Sequence, residues 1–150
     1  MFKRHILLIA LDISISRKGG VKEMDEGLLI IRLVLGLILA AHGAQKLFGI
    51  FGGHGIKGTG QWLESIGIKP GAFFAFLTGL SEFGGGLLIA AGVYTKVCAI
   101  LIVIIMLVAI FTVHWKNGLW NGANGYEYNL LILAVAIGLY LTGPGTYTLF

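Results

Sequence analysis

The chain has 150 residues, of which 57% are hydrophobic and only 12% charged, with a mean hydropathy of +0.89. That balance is too apolar for a water-soluble domain of this length and points to a single membrane-embedded domain. The net charge of +4 does not argue for a nucleic-acid partner, because five of the eleven basic residues fall in the first 22 positions, ahead of the first long apolar run, where membrane topology accounts for them.

Residues 1–26 read as a cytoplasmic N-terminal tail. Lys3 and Arg4 precede a short apolar run over residues 6–11, followed by the charged segment SRKGGVKEMDEG. The run is too short to cross ~30 Å of hydrocarbon, and no small-residue cleavage site of the signal-peptide kind follows it.

The first expected span covers residues 28–47, LLIIRLVLGLILAAHGAQKL. At ~100° per residue Arg32, His42 and Lys46 share a sector of about 80°, beside Gly36 and Gly43. Arg32 and Lys46 lie near the two ends, where long basic side chains either snorkel to the interface or join an internal polar network. His42 sits about one turn inside, where a network role is the stronger reading.

Residues 48–71 are expected as a loop, since eight of the 24 are glycine. That density suits a re-entrant or surface element rather than a lipid-exposed helix. Residues 61–66 can form a short interfacial helix carrying Trp62. His54 and Lys57 offer a weak anion site, and the GxGxxG-like fragments lack the preceding strand that a dinucleotide site needs.

The second span, residues 72–91, reads AFFAFLTGLSEFGGGLLIAA and carries Glu82 near its middle. A carboxylate at that depth is costly in lipid, so Glu82 is expected to face the protein interior, with Arg32 or His42 in reach as its partner. Gly71, Ala75, Thr78, Gly79, Gly85, Gly86 and Ala90 share its half of the helix, forming a face built for close approach.

The third span, residues 97–113, is nearly uniform in Ile, Leu and Val and reads as a lipid-facing wall. It contains the lone Cys98, which excludes an internal disulfide and is expected as a small buried hydrophobe. His114 closes this helix. A second Gly/Asn-rich loop carries Trp115 and Trp120, so all three tryptophans fall in the two longer loops, as in an interfacial aromatic belt. The fourth span, residues 127–141, sets Glu127, Ala134 and Gly138 on one stripe.

These elements predict an all-α, polytopic membrane four-helix bundle with two Gly-rich loops on the non-cytoplasmic side. Six basic residues on the side of the tail and Lys96 against four on the other place both termini in the cytoplasm of a multi-pass plasma-membrane protein.

RLVLGLILAAHGAQKLFG, FGGHGIKGTGQWLESIGIKPG, GLSEFGGGLLIAAGVYTK, VHWKNGLWN and GYEYNLLILAVAIGLYLTGPG, in that order, resemble the DoxX family of small four-helix bacterial and archaeal membrane proteins. The resemblance runs from about residue 27 to 147, leaving the tail outside a DoxX-like domain over residues 27–150. It implies an oxidoreductase component, by kinship with the membrane subunit of thiosulfate:quinone oxidoreductase, and association with sulfurtransferase or other soluble redox partners. The family motif positions fall here on Arg32, Gly36, His42, Gly43, Lys46, Gly52, Gly53, Glu82, Gly85, His114, Glu127 and Tyr128.

Several functions stay open on the sequence. In the first, a quinone or small substrate binds a polar pocket in the bundle, with Glu82, His42 and His114 as candidate catalytic groups and Arg32, Lys46, Glu127, Tyr128 and Trp62 as candidate binding groups. No flavin, haem or iron–sulfur motif is visible, so electrons would pass through a quinone, a metal or a partner. A metal site built from His42, His114 and Glu127 is a weaker alternative. The others are a non-catalytic scaffold recruiting a soluble partner and a proton-coupled transporter, and assembly with a second copy is compatible with each.

Overall fold

The computed structural model describes residues 2–149, with side chains from residue 19 onward; expectations that concern earlier side chains lie outside the described residues. Over those residues the chain is all-α, without a strand. Helix α1 spans Phe2–Phe48, α2 Gly55–Ser65, α3 Gly71–Ala91, α4 Thr95–Ala109 and α5 Glu127–Thr142. A π-helical turn, Ile110–His114, and a 3-10 turn, Trp115–Asn117, extend α4 without a break.

The boundaries follow local chemistry. The chain has two prolines: Pro70 stands immediately before α3, and Pro144 follows the end of α5. Neither position needs an amide hydrogen for an intrahelical bond. Gly92 ends α3 in the left-handed conformation, with φ of 76°. Nothing comparable interrupts residues 2–48, so the expected tail continues into the first span as one helix.

Three helical stretches are long and apolar enough to cross a membrane: Gly19–Phe48, Gly71–Ala91 and Thr95–Asn117. Helix α5 is apolar but shorter, at 16 residues or ~24 Å. Five helices stand where four were expected. The additional one is α2, which begins six residues earlier than the predicted 61–66 segment. Its glycines serve packing rather than breaking the helix: a Cβ on Gly60 would come within 2.9 Å of the Ala72 backbone, and one on Gly71 would overlap the Gly60 carbonyl.

Helices α1 and α3 form the tightest seam. A Cβ on Gly36 would meet Gly86 and Ala90, and one on Gly43 would stand 2.6 Å from the Gly79 carbonyl oxygen and 2.7 Å from Phe83 Cα. These pairings fix the two helices as antiparallel. In lipid, where apolar side chains gain little by leaving the solvent, such backbone contact is a main source of helix association. Leu35, Leu39, Ile89, Ile102, Met106, Ile132 and Leu139 fill the core among α1, α3, α4 and α5, with Cys98 buried beside them. The outward faces, including Ile30, Val34, Leu37, Val97, Leu101 and Ile104, are exposed and apolar, as contact with a lipid bilayer requires.

Candidate functional site

At the α2 end of the seam lies a cavity of about 340 Å³. Helix α1 contributes Leu39, His42 and Lys46; α2 contributes Thr59, Trp62 and Leu63; α3 contributes Phe74, Thr78 and Glu82. The far wall consists of Ile105, Met106 and Ala109 from α4, His114 after it, Asn121 from the loop, and Tyr128, Asn129 and Ile132 from α5.

Lys46 and Glu82 form an ion pair across the seam, Nζ to Oε1, at 2.5 Å. Glu82 is 3% exposed and Lys46 32%. The pair depends on the glycines. Because Gly43 lets α1 touch the α3 backbone, Lys46, one turn further on, lies against Gly79 and its long stem reaches back to Glu82. Glu82 therefore faces the interior as expected, but its partner is neither Arg32 nor His42. Its second oxygen, Oε2, is buried and accepts no hydrogen bond from the described residues.

The other predicted residues separate into three groups. His42, His114, Tyr128 and Trp62 line the cavity with the ion pair. The His42 and Tyr128 rings lie 6.2 Å apart at an angle of 54°. His114 Nδ1 is 2.8 Å from the carbonyl oxygen of Asn124. A carbonyl only accepts, so Nδ1 carries the hydrogen and the neutral ring keeps Nε2 as an acceptor. Asn124, in the left-handed conformation at φ 61°, also receives Asn117 Nδ2 on that carbonyl at 3.1 Å.

Glu127 belongs to the second group: its Oε2 accepts the Asn121 amide at 3.0 Å, closing the loop ahead of α5 instead of lining the cavity. Arg32 is the third. It is wholly buried at the opposite end of the seam, where its Nη2 donates to the Tyr147 carbonyl and its guanidinium packs on Gly92, while Nε and Nη1 have no hydrogen-bond partner among the described residues. It does not snorkel.

Asn129 escaped the sequence reading. It is buried, lines the cavity and donates Nδ2 to Met106 Sδ at 3.5 Å. Its signal was an amide inside the apolar run EYNLLILAV, overshadowed by the charged Glu127 two residues earlier. Thr59 also lines the wall without having been anticipated, and Thr78 joins it from the half of α3 that the sequence assigned to Glu82.

A second hollow of about 470 Å³, lined by Gln45, Gly52, Gly53, His54 and Gly58, shares Lys46, Thr59 and Trp62 with the cavity, so the two adjoin. Among the described residues no group of three or more His, Cys, Asp or Glu side chains is disposed to hold a metal, and His42, His114 and Glu127 do not form one.

The comparisons place the chain among membrane proteins. The DoxX family model matches residues 27–115. A Bacillus subtilis (strain 168) protein named "Putative oxidoreductase CatD" is 32% identical over 122 residues, covering 81% of this chain and 83% of that one. The Escherichia coli (strain K12) inner membrane protein YqjF is 32% identical over 130 residues, with 85% and 92% covered. A Mycobacterium tuberculosis membrane protein, Rv3486, is 32% identical over 137 residues, with 85% and 81% covered. No solved structure matches the chain. With its Gly36, Gly43, Lys46 and Glu82 seam inside the matched region, this chain belongs to the DoxX family of membrane proteins.

Proposed function

We propose that the protein is the ligand-binding membrane component of a redox system, taking a quinone-sized ring into the cavity beside Lys46 and Glu82. The observation that carries this reading is an apolar cavity with an ion pair in its wall, its carboxylate buried and its lysine partly exposed. Its volume lies within the ~300–1,000 Å³ range of small-molecule sites, and a few converging polar groups in an apolar lining are what orient such a ligand. The name of the Bacillus subtilis relative supports oxidoreductase context.

Quinone reduction takes two electrons and two protons. Here a soluble redox partner protein delivers the electrons, and Lys46, His42 and His114 relay the protons from water to the ring oxygens. In this reading α5 is the fourth span, both termini are cytoplasmic, and the cavity opens toward the opposite face. Purified protein in mild detergent is expected to retain or bind a quinone, with quinone-dependent activity lost in His42→Ala and Glu82→Gln. Wild-type activity in both variants would overturn it.

A scaffold reading is favoured by one observation, that the ion pair sits in the tightest helix contact and can serve as a register pin. Under that reading Glu82→Gln lowers thermal stability and leaves ligand binding intact.

A further inference from the structure

The polar groups of the cavity wall are not evenly supplied. Glu82 Oε1 is taken by Lys46, whereas Oε2 is buried and nothing among the described residues donates to it. A buried carboxylate oxygen left without a donor is costly, more so than a neutral acceptor. His114 adds a second acceptor, because its Nδ1 hydrogen is committed to the Asn124 carbonyl and the ring lines the same cavity.

The donors stand differently. Lys46 is a third exposed, so water serves the ammonium hydrogens that Glu82 does not use. Asn129 already gives Nδ2 to Met106. His42, Trp62 and Tyr128 also present donor hydrogens to the cavity, but each is exposed to solvent. A carbonyl entering the cavity therefore replaces water on its donors, while a hydroxyl serves a buried carboxylate oxygen that no described residue donates to.

Resting on the function proposed above, we infer that the cavity selects the reduced, hydroxyl-bearing form of its ring ligand, a quinol over the quinone, with one hydroxyl donating to Glu82 Oε2. The carboxylate reads the hydrogen on the ligand oxygen. His114 Nε2 reinforces the choice as a second acceptor. The ion pair with Lys46 has its own part: a carboxylate facing an ammonium is a charge-assisted acceptor, which discriminates a donor more strongly than a neutral one.

The test compares three probes of one shape on the full-length protein in mild detergent under anaerobic conditions: durohydroquinone, duroquinone and the dimethyl ether of durohydroquinone. Tryptophan fluorescence or calorimetry reads the affinities. Durohydroquinone is expected to bind at least ~10-fold more tightly than either probe without a hydroxyl hydrogen. Glu82→Gln, shown to be folded by its melting temperature and elution profile, is expected to bring the three to within about threefold, since the amide oxygen is a weaker acceptor and its nitrogen adds a donor for carbonyls. Equal affinities in the wild type overturn the inference and leave the cavity as a ring-binding site. Binding of none of the three overturns that reading of the cavity as well. Because the wild-type comparison needs no substitution, the inference stays falsifiable if Glu82→Gln fails to fold.

Discussion

The two ends of the α1–α3 seam hold a cation each and treat it in opposite ways. At one end Lys46 meets a carboxylate from the facing helix, beside a 340 Å³ cavity. At the other, Arg32 meets the Tyr147 carbonyl from the C-terminal segment, which also donates from Thr146 Oγ1 to Asp25 Oδ2 at 2.7 Å and from the Leu149 amide to the Ala91 carbonyl at 3.1 Å. The segment straps the middle of α1 to the end of α3, and Arg32 beneath it is completely buried. A buried charge, the Glu82 carboxylate at one end and the Arg32 guanidinium at the other, is thus common to both ends. What separates a site from a structural clasp is the space beside the charge and a polar atom left to be satisfied from that space.

The contrast can be broken in four ways. The largest effect is expected at the seam itself. Gly43→Leu forces a side chain into the Gly79 and Phe83 backbone and should cost at least about 4 kcal/mol, enough to lose the monodisperse peak in size-exclusion chromatography. Gly84→Ala, where a Cβ meets nothing within 4 Å, should leave that peak intact and raise stability by up to about 1 kcal/mol.

Next comes the ion pair. Lys46→Met leaves Glu82 buried without its cation and should cost about 3 kcal/mol by thermal denaturation, the low end of the range because Lys46 is partly hydrated. Adding Glu82→Met should restore most of that loss while ring-probe binding stays absent. A double variant that still binds would move the site elsewhere.

At the strapped end, Arg32→Met should cost about 1–2 kcal/mol, for the orphaned Tyr147 carbonyl, and leave probe affinity unchanged. A tenfold affinity loss there would erase the distinction between the two ends. The smallest expected effect is Thr146→Val, about 1 kcal/mol in stability for the lost bond to Asp25, again with binding intact.

Much of this was legible in the sequence, and the failures have physical reasons. The small-residue faces around Glu82 and around Gly36 and Gly43 follow from helical periodicity, and they do meet. The error in the partner of Glu82 was one of register. Gly36 opposite Gly86 and Gly43 opposite Gly79 place Glu82 between those two levels, and bring Arg32, one turn before Gly36, level with Gly92. Matching glycines across the two helices sets Glu82 level with residue 40 and excludes Arg32, eight residues away, but the choice of Lys46 over the nearer His42 comes from the reach of the lysine stem in the folded seam. Helix α2 was partly hidden because its glycines look like breakers until a neighbouring backbone is there to fit them. The carbonyl partners of Arg32 and His114 were out of reach altogether, since every residue carries a carbonyl and only the folded loop and tail select one.

The closeness of the seam also governs how the cavity can adapt. Where two helices meet through bare backbone there are no rotamers to change, and small slips create overlaps instead of new packing. Helices α1 and α3 therefore act as a fixed jaw, holding the Lys46 and Glu82 pair at constant geometry. Accommodation of a bulkier occupant falls to the facing jaw, where Met106, Ile105 and the half-exposed Trp62 have torsions to spend. One side of the mouth keeps the chemistry constant while the other takes up differences in size.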